Sequence, residues 1–286
     1  MRLSILLSLL IISSAALPGQ QMINPEVKHA VAFVFVDTGN GTLMANGTGF
    51  FVGVRKQRDT SLVDVYFVTA RHVIQISSHD YYKRVFLRLN KLDGHDSTLT
   101  LPVFYGGQRY ISFSEDTTVD LAVFPFAPDQ NKFEFTYIPI ESIAPRDAAA
   151  KGLIKEGFDA AFCGLFTNYF GAHRNYPIFR FGKIALLTDE RVEFQKLFRE
   201  LYLVETSSFG GNSGSPVFFF SPLSNSAYLG GIMLGYFGVP LQAITLKKST
   251  EITIPVQNAG IAAVIPAYLL LNILNSPEMK RQRGEE

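Results

Sequence analysis

From His29 onward, the chain is written in short apolar runs rich in β-branched and aromatic residues, punctuated by Gly, Asn, Asp and Pro. Val31-Ala-Phe-Val-Phe-Val36 and Val65-Tyr-Phe-Val68 are examples. Runs of this kind between turn formers predict strands, and their close spacing predicts an all-β sandwich or barrel. A helical pattern is confined to three windows, residues 70–75, 189–201 and 266–275. The apolar stretch Ile261–Leu274 is broken by Pro266 and Asn272 and is too short to span a bilayer, so it predicts a strand followed by a packed terminal helix. Pro and charged residues interrupt the strand pattern around Pro125–Pro145. They divide the chain into an N-terminal half over residues 28–130 and a C-terminal half over 131–276, followed by a charged, solvated tail over 277–286.

The N-terminus has a different grammar. Arg2, the apolar run Leu3–Ile12 and the small residues Ser13-Ser14-Ala15-Ala16 follow the order of a secretory signal peptide, with cleavage expected after Ala16. Residues 17–27 then form a short arm. The expected location is periplasmic or extracellular, with no stable membrane insertion once the signal is removed.

Composition narrows the chemistry. The chain has 286 residues, of which 47% are hydrophobic and 18% charged, with 26 Lys and Arg against 25 Asp and Glu. A net charge of +1 gives no field to draw the chain onto nucleic acid or an anionic membrane. Cys163 is the only cysteine, so neither an intrachain disulfide nor a multi-thiolate metal site can form. His29, His79, His95 and His173 have no partners at metal-ligand spacing, and neither metal nor cofactor is expected. Two compact halves without disulfides must be held by burial, a role that suits 25 phenylalanines.

The segment Gly210-Gly211-Asn212-Ser213-Gly214-Ser215-Pro216 lies between two apolar runs. A serine among glycines can occupy a tight turn whose backbone N–H groups point to one side and hold an oxyanion. An isolated cluster of this kind would be an ordinary turn, but this one has partners. His72 follows the strand-like Tyr66–Ala70, and Asp120 leads into the apolar Leu121–Val123. In the order His72, Asp120, Ser213 the chain supplies a base, a carboxylate to orient it and a nucleophile. An α/β-hydrolase would need its histidine after the nucleophile, whereas His173 is the last histidine in the chain. Asp37-Thr38-Gly39 lacks the second Asp-Thr-Gly of an aspartic peptidase.

Gly47-Thr-Gly-Phe-Phe-Val52, Val68-Thr-Ala-Arg-His72, Asp120-Leu-Ala-Val123 and Gly211-Asn-Ser-Gly-Ser-Pro216 together resemble the signature blocks of the trypsin-like, chymotrypsin-fold serine peptidases. The disulfide-free bacterial branch of HtrA-type and glutamyl-endopeptidase-like enzymes is the nearer likeness, over roughly residues 28–276. It leaves no room for a PDZ domain behind them. The resemblance implies two six-stranded antiparallel β-barrels with the active site between them. It also implies catalytic roles for His72, Asp120 and Ser213, and an oxyanion hole from the N–H groups of Gly211 and Ser213. A specificity pocket would have Thr206, Ser207 and Ser208 at its base and Met233, Leu234 and Gly235 along its wall. No acid lies in that base, which favours a small or apolar residue before the cut. Two positions depart from the pattern. Asn212 cannot pair with a newly cut N-terminus as the Asp of digestive relatives does, and Ser215 replaces a commoner Gly. The expected function is a serine endopeptidase acting on peptide or protein substrates. The rival expectation is a catalytically silent module that binds peptides in the same cleft.

Overall fold

The computed structural model describes residues 23–77, 80–240 and 256–285. The segment expected to be a signal peptide, His79 and residues 241–255 lie outside the described residues.

Strand β1 (Val31–Asp37) carries an unbroken apolar run because both of its faces are buried. Successive side chains of a strand point to opposite faces. Val31, Phe33 and Phe35 therefore join a cluster with Phe162 and Phe219 of the C-terminal half, while Ala32, Val34 and Val36 join Phe51, Phe67 and Phe124 in the N-terminal core. β2 (Leu43–Arg55) repeats the device, sending Phe50 to the first cluster and Phe51 to the second. The N-terminal sheet thus has its own core on one side and the C-terminal half on the other.

β3 (Val63–Ala70), β4 (Arg84–Asn90), β5 (Asp96–Pro102) and β6 (Leu121–Phe124) complete an antiparallel path in the order β5-β4-β1-β2-β3-β6, and the short β7 (Ile138–Pro139) adds parallel to β2. No continuous ladder joins β5 to β6. Instead the intervening chain bridges them: Tyr110 N–H donates to the Val103 carbonyl at 3.0 Å, and Ser112 exchanges backbone hydrogen bonds of 2.9 and 3.0 Å with Val123. The N-terminal six strands are therefore joined into a barrel-like wrap through single bridges.

The C-terminal half closes fully. It comprises β8 (Asp159–Gly164), β9 (Ile178–Leu187), a hairpin of β10 (Val192–Phe194) and β11 (Leu197–Arg199), then β12 (Tyr202–Glu205), β13 (Pro216–Ser221), β14 (Ser226–Pro240) and β15 (Val256–Pro266). The six longer strands form a closed antiparallel barrel in the order β8-β9-β12-β15-β14-β13. Cys163 is fully buried in β8, where burial pushes its thiol pKa up and leaves it a small core side chain.

Two expectations need correction. Residues 189–201 form the β10–β11 hairpin and not a helix. Gln195 and Lys196 take consecutive left-handed conformations at its tip (φ 52° and 64°), and Phe194 is buried edge-on against Phe237 at 5.1 Å. Aromatic burial in a two-residue-turn ribbon overrides the local helical pattern. The charged tail, expected to be solvated, also folds back. After α1 (Tyr268–Leu274), α2 (Pro277–Arg283) starts at Ser276, whose hydroxyl accepts from Met279 N–H, and stops at left-handed Gly284. Met279 is buried and receives a contact from Ser112 Oγ, while buried Arg283 donates to the Leu274 carbonyl and pairs through two nitrogens with Glu285. Among the described residues no helix is long and apolar enough to cross a membrane.

Candidate active site

The 3₁₀ turn Arg71–Ile74 follows β3 directly and carries His72 at the edge of the N-terminal sheet. Asp120 sits just before β6, the strand paired with β3, so the two residues are neighbours by register. Arg71 N–H donates to the Asp120 backbone carbonyl at 3.1 Å. The Asp120 carboxylate then holds His72 at two points: Oδ1 accepts the His72 backbone N–H at 2.9 Å, and Oδ2 lies 3.0 Å from Nδ1. Burial alone would raise the Asp120 pKa, but the His72 hydrogen bonds, with the charges of His72 and Arg199, outweigh it and hold the carboxyl below its usual range. An ionised carboxylate only accepts, so Nδ1 carries the proton of a neutral imidazole and Nε2 is left as the basic nitrogen.

Ser213 comes from the C-terminal half, in the turn leading into β13, and the N-terminal half holds that turn through Thr48. Thr48 N–H donates to the Ser213 carbonyl at 2.9 Å, and its hydroxyl donates to the Gly211 carbonyl at 2.8 Å while accepting Leu165 N–H at 2.9 Å. Thr69 Oγ1 in turn donates to the Thr48 carbonyl at 2.6 Å. The turn is therefore fastened to the residues just before His72.

Two glycines are required here by geometry. Gly211 has φ +91°. Gly214 has φ +86°, and a Cβ there would fall 2.0 Å from the Thr48 carbonyl oxygen and 2.5 Å from Thr69 Oγ1. Gly214→Ala should therefore destabilise the protein by about 2–4 kcal/mol. A lowered urea midpoint at unchanged slope would bear this out, and a midpoint within error of the parent would contradict it.

Asn212, the first departure from the family pattern, is a neutral lock. Its Nδ2 donates to the Leu165 carbonyl at 2.5 Å and its Oδ1 accepts Phe209 N–H at 2.8 Å, so the turn is pinned without an ion pair. Asn212 N–H donates to the Phe209 carbonyl, Gly214 N–H to Met233 and Ser215 N–H to Asn212. Within the described residues, the N–H groups of Gly211 and Ser213 have no protein acceptor. These are the two donors an oxyanion hole needs.

One relation differs from expectation. The Ser213 hydroxyl donates to the Leu234 carbonyl at 3.1 Å and not to His72. In unliganded sites the nucleophile–base hydrogen bond is often long and tightens only with substrate.

Of the expected specificity residues, Ser208 and Met233 are in contact. Ser208 is buried with its hydroxyl 3.4 Å from Met233 Sδ, and Met233 N–H donates to the Ser215 carbonyl at 2.9 Å. The Thr206 hydroxyl donates to the Phe181 carbonyl at 3.0 Å, while Ser207 is exposed and Gly235 lies against Phe194. Sequence reasoning did not single out the Asn258 side chain, whose amide donates to the Ser208 carbonyl and whose oxygen accepts Gly260 N–H. The Asn-x-Gly near the start of β15 was the available signal. Nor did it find Arg199, buried 3.9 Å from Asp120.

The fold is that of chymotrypsin-like protease domains. The MamO protease domain from Magnetospirillum magneticum, in its apo form, superposes with a TM-score of 0.50 at 14% identity, covering 88% of this chain and 99% of that one. The Rv3671c protease in an inactive form gives a TM-score of 0.44 at 16% identity, covering 88% and 91%. No protein-family model and no curated protein matches the chain.

Proposed function

We propose that this protein is a serine endopeptidase that hydrolyses peptide bonds through an acyl-enzyme, with Ser213 as nucleophile, His72 as general base and Asp120 as the group that orients it. The observation that carries the proposal is the two-point hold of Asp120 on His72, which leaves Nε2 as the base. A carboxylate serving only as a turn former has no need to fix an imidazole. In the proposed reaction Ser213 Oγ attacks the acyl carbon and its proton passes to Nε2. The oxyanion accepts from Gly211 and Ser213 N–H, and collapse expels the amine with the proton returned by His72. Water then repeats the sequence on the ester. We further propose that the protein is exported, as its N-terminal pattern implies, and belongs to the HtrA-like branch.

The rival, a silent peptide-binding module, draws support from the Ser213 hydroxyl resting on the Leu234 carbonyl. The two-point hold of Asp120 on His72, which a silent module does not need, makes the peptidase the better account. Cleavage of a diverse peptide library tests both readings. Cuts that follow small or apolar residues and vanish in Ser213→Ala are the expected result. No cleavage would favour the silent module, and dominant cutting after Lys or Arg would show that the pocket is misassigned.

A further inference from the structure

The strap Thr117–Asp120 is gripped by cations from both halves. Arg71 Nη2 donates to the Thr117 carbonyl at 2.6 Å from the N-terminal side. From the C-terminal side the β10–β11 hairpin reaches over with two arginines. Arg191 Nη2 pairs with Asp116 at 2.6 Å near the surface. Arg199 Nη1 donates to the Thr118 carbonyl at 2.6 Å and stands 3.9 Å from Asp120 Oδ2, the oxygen that also faces His72 Nδ1. The Arg199 side chain is only 9% exposed and that of Asp120 8%. Among the described residues Arg199 Nε has no partner, so the charge is not buried simply to complete a hydrogen-bond set.

Burying a guanidinium is costly unless a carboxylate compensates it, and here the compensating group is the one assigned to orient the base. We propose that Arg199 is a positioning residue for the active site: it shares the Asp120 carboxylate with His72, fixes the strap from the opposite barrel and disfavours the imidazolium. The inference rests on the serine-peptidase reading above. Its electrostatic sense follows from the groups that face Asp120. His72 faces it from the turn after β3 and Arg199 from the hairpin, while Arg71 and Asp116 lie near Arg199 and Arg191 pairs with Asp116. Protonating His72 adds a positive charge to a carboxylate already faced by one. Removing Arg199 relieves that repulsion, so the base should be lost to protonation at higher pH than in the parent.

The test is the rate at which a fluorophosphonate labels the full-length protein as a function of pH, in parent, Ser213→Ala, Arg199→Gln and Arg199→Lys. We expect labelling that depends on Ser213. Arg199→Gln should move the acid limb up by about half to one pH unit and lower the plateau rate by about tenfold. Arg199→Lys, which keeps the charge, should keep the limb within about 0.2 unit of the parent. A folded Arg199→Gln with the parent's limb and rate, or an Arg199→Lys limb displaced as in the Gln variant, would overturn the assignment while leaving the peptidase reading intact. If the Gln variant does not fold, Arg199→Met serves as the neutral variant and is read by the same criterion. A parent that takes no label, or a Ser213→Ala variant labelled equally, would overturn the peptidase reading and this inference with it.

Discussion

Replacing Ser213 with alanine should lower the turnover of a cleaved peptide by about 10⁶-fold, and His72→Ala should do the same, with the double variant no worse than either single one. The non-additivity follows from the geometry. Nε2 has no proton to take when the hydroxyl is gone, and the hydroxyl is a poor nucleophile without the base. Neither substitution should disturb the scaffold much. Ser213 Oγ makes a single 3.1 Å contact to a carbonyl, and its turn is fixed by the Thr48 backbone and hydroxyl bonds, which alanine leaves in place. Retained melting temperature with abolished turnover is the combined signature. Independent effects of the two substitutions would mean that the residues do not act as a unit.

Asp120→Asn should cost about 10⁴-fold in kcat. The carboxamide has one acceptor oxygen where the carboxylate has two, yet His72 presents both its backbone N–H and Nδ1 to that group. Whichever way the amide turns, one contact becomes donor against donor, or the imidazole is forced to carry its proton on Nε2. The substitution also has a stability signature. The native Asp120 carboxyl is held below its usual range, so ionisation favours the folded state. That contribution is fully present above the unfolded value of about pH 4 and disappears as the pH falls through the lower native value. The asparagine variant should therefore be less stable near neutrality and lose less of its stability on acidification. Parallel stability–pH curves for parent and variant would contradict this.

Much of this arrangement was legible in the residues. The order His72, Asp120, Ser213 is local chemistry written beside strand ends, and strand ends are where sheets meet at a cleft. The continuous apolar run at Val31–Val36 announced a strand, but that both of its faces are buried emerges only from its packing into two cores. What was misread depended on distant partners. The β10–β11 ribbon has helix-compatible residues and no Asn-Gly at its turn, and only Phe237, far along the chain, makes its strand conformation pay. The tail was a different failure, since Ser276-Pro277-Glu278 and Gly284 are start and stop signals in plain view. Its charge hid a helix whose Met279 and Arg283 face inward. Arg199 could not have been found at all from sequence, because its place beside Asp120 is set by a hairpin that crosses from one half to the other.

The central claim is that Ser213 is a nucleophile activated by His72. Intact-mass measurement after exposure to a fluorophosphonate addresses it directly. The account predicts one added phosphonyl group on the parent, mapped to the peptide containing Ser213, and none on Ser213→Ala or His72→Ala under the same exposure. A folded parent that gains no mass at any pH from 5 to 9, or an adduct that persists in the Ser213→Ala variant, would contradict it.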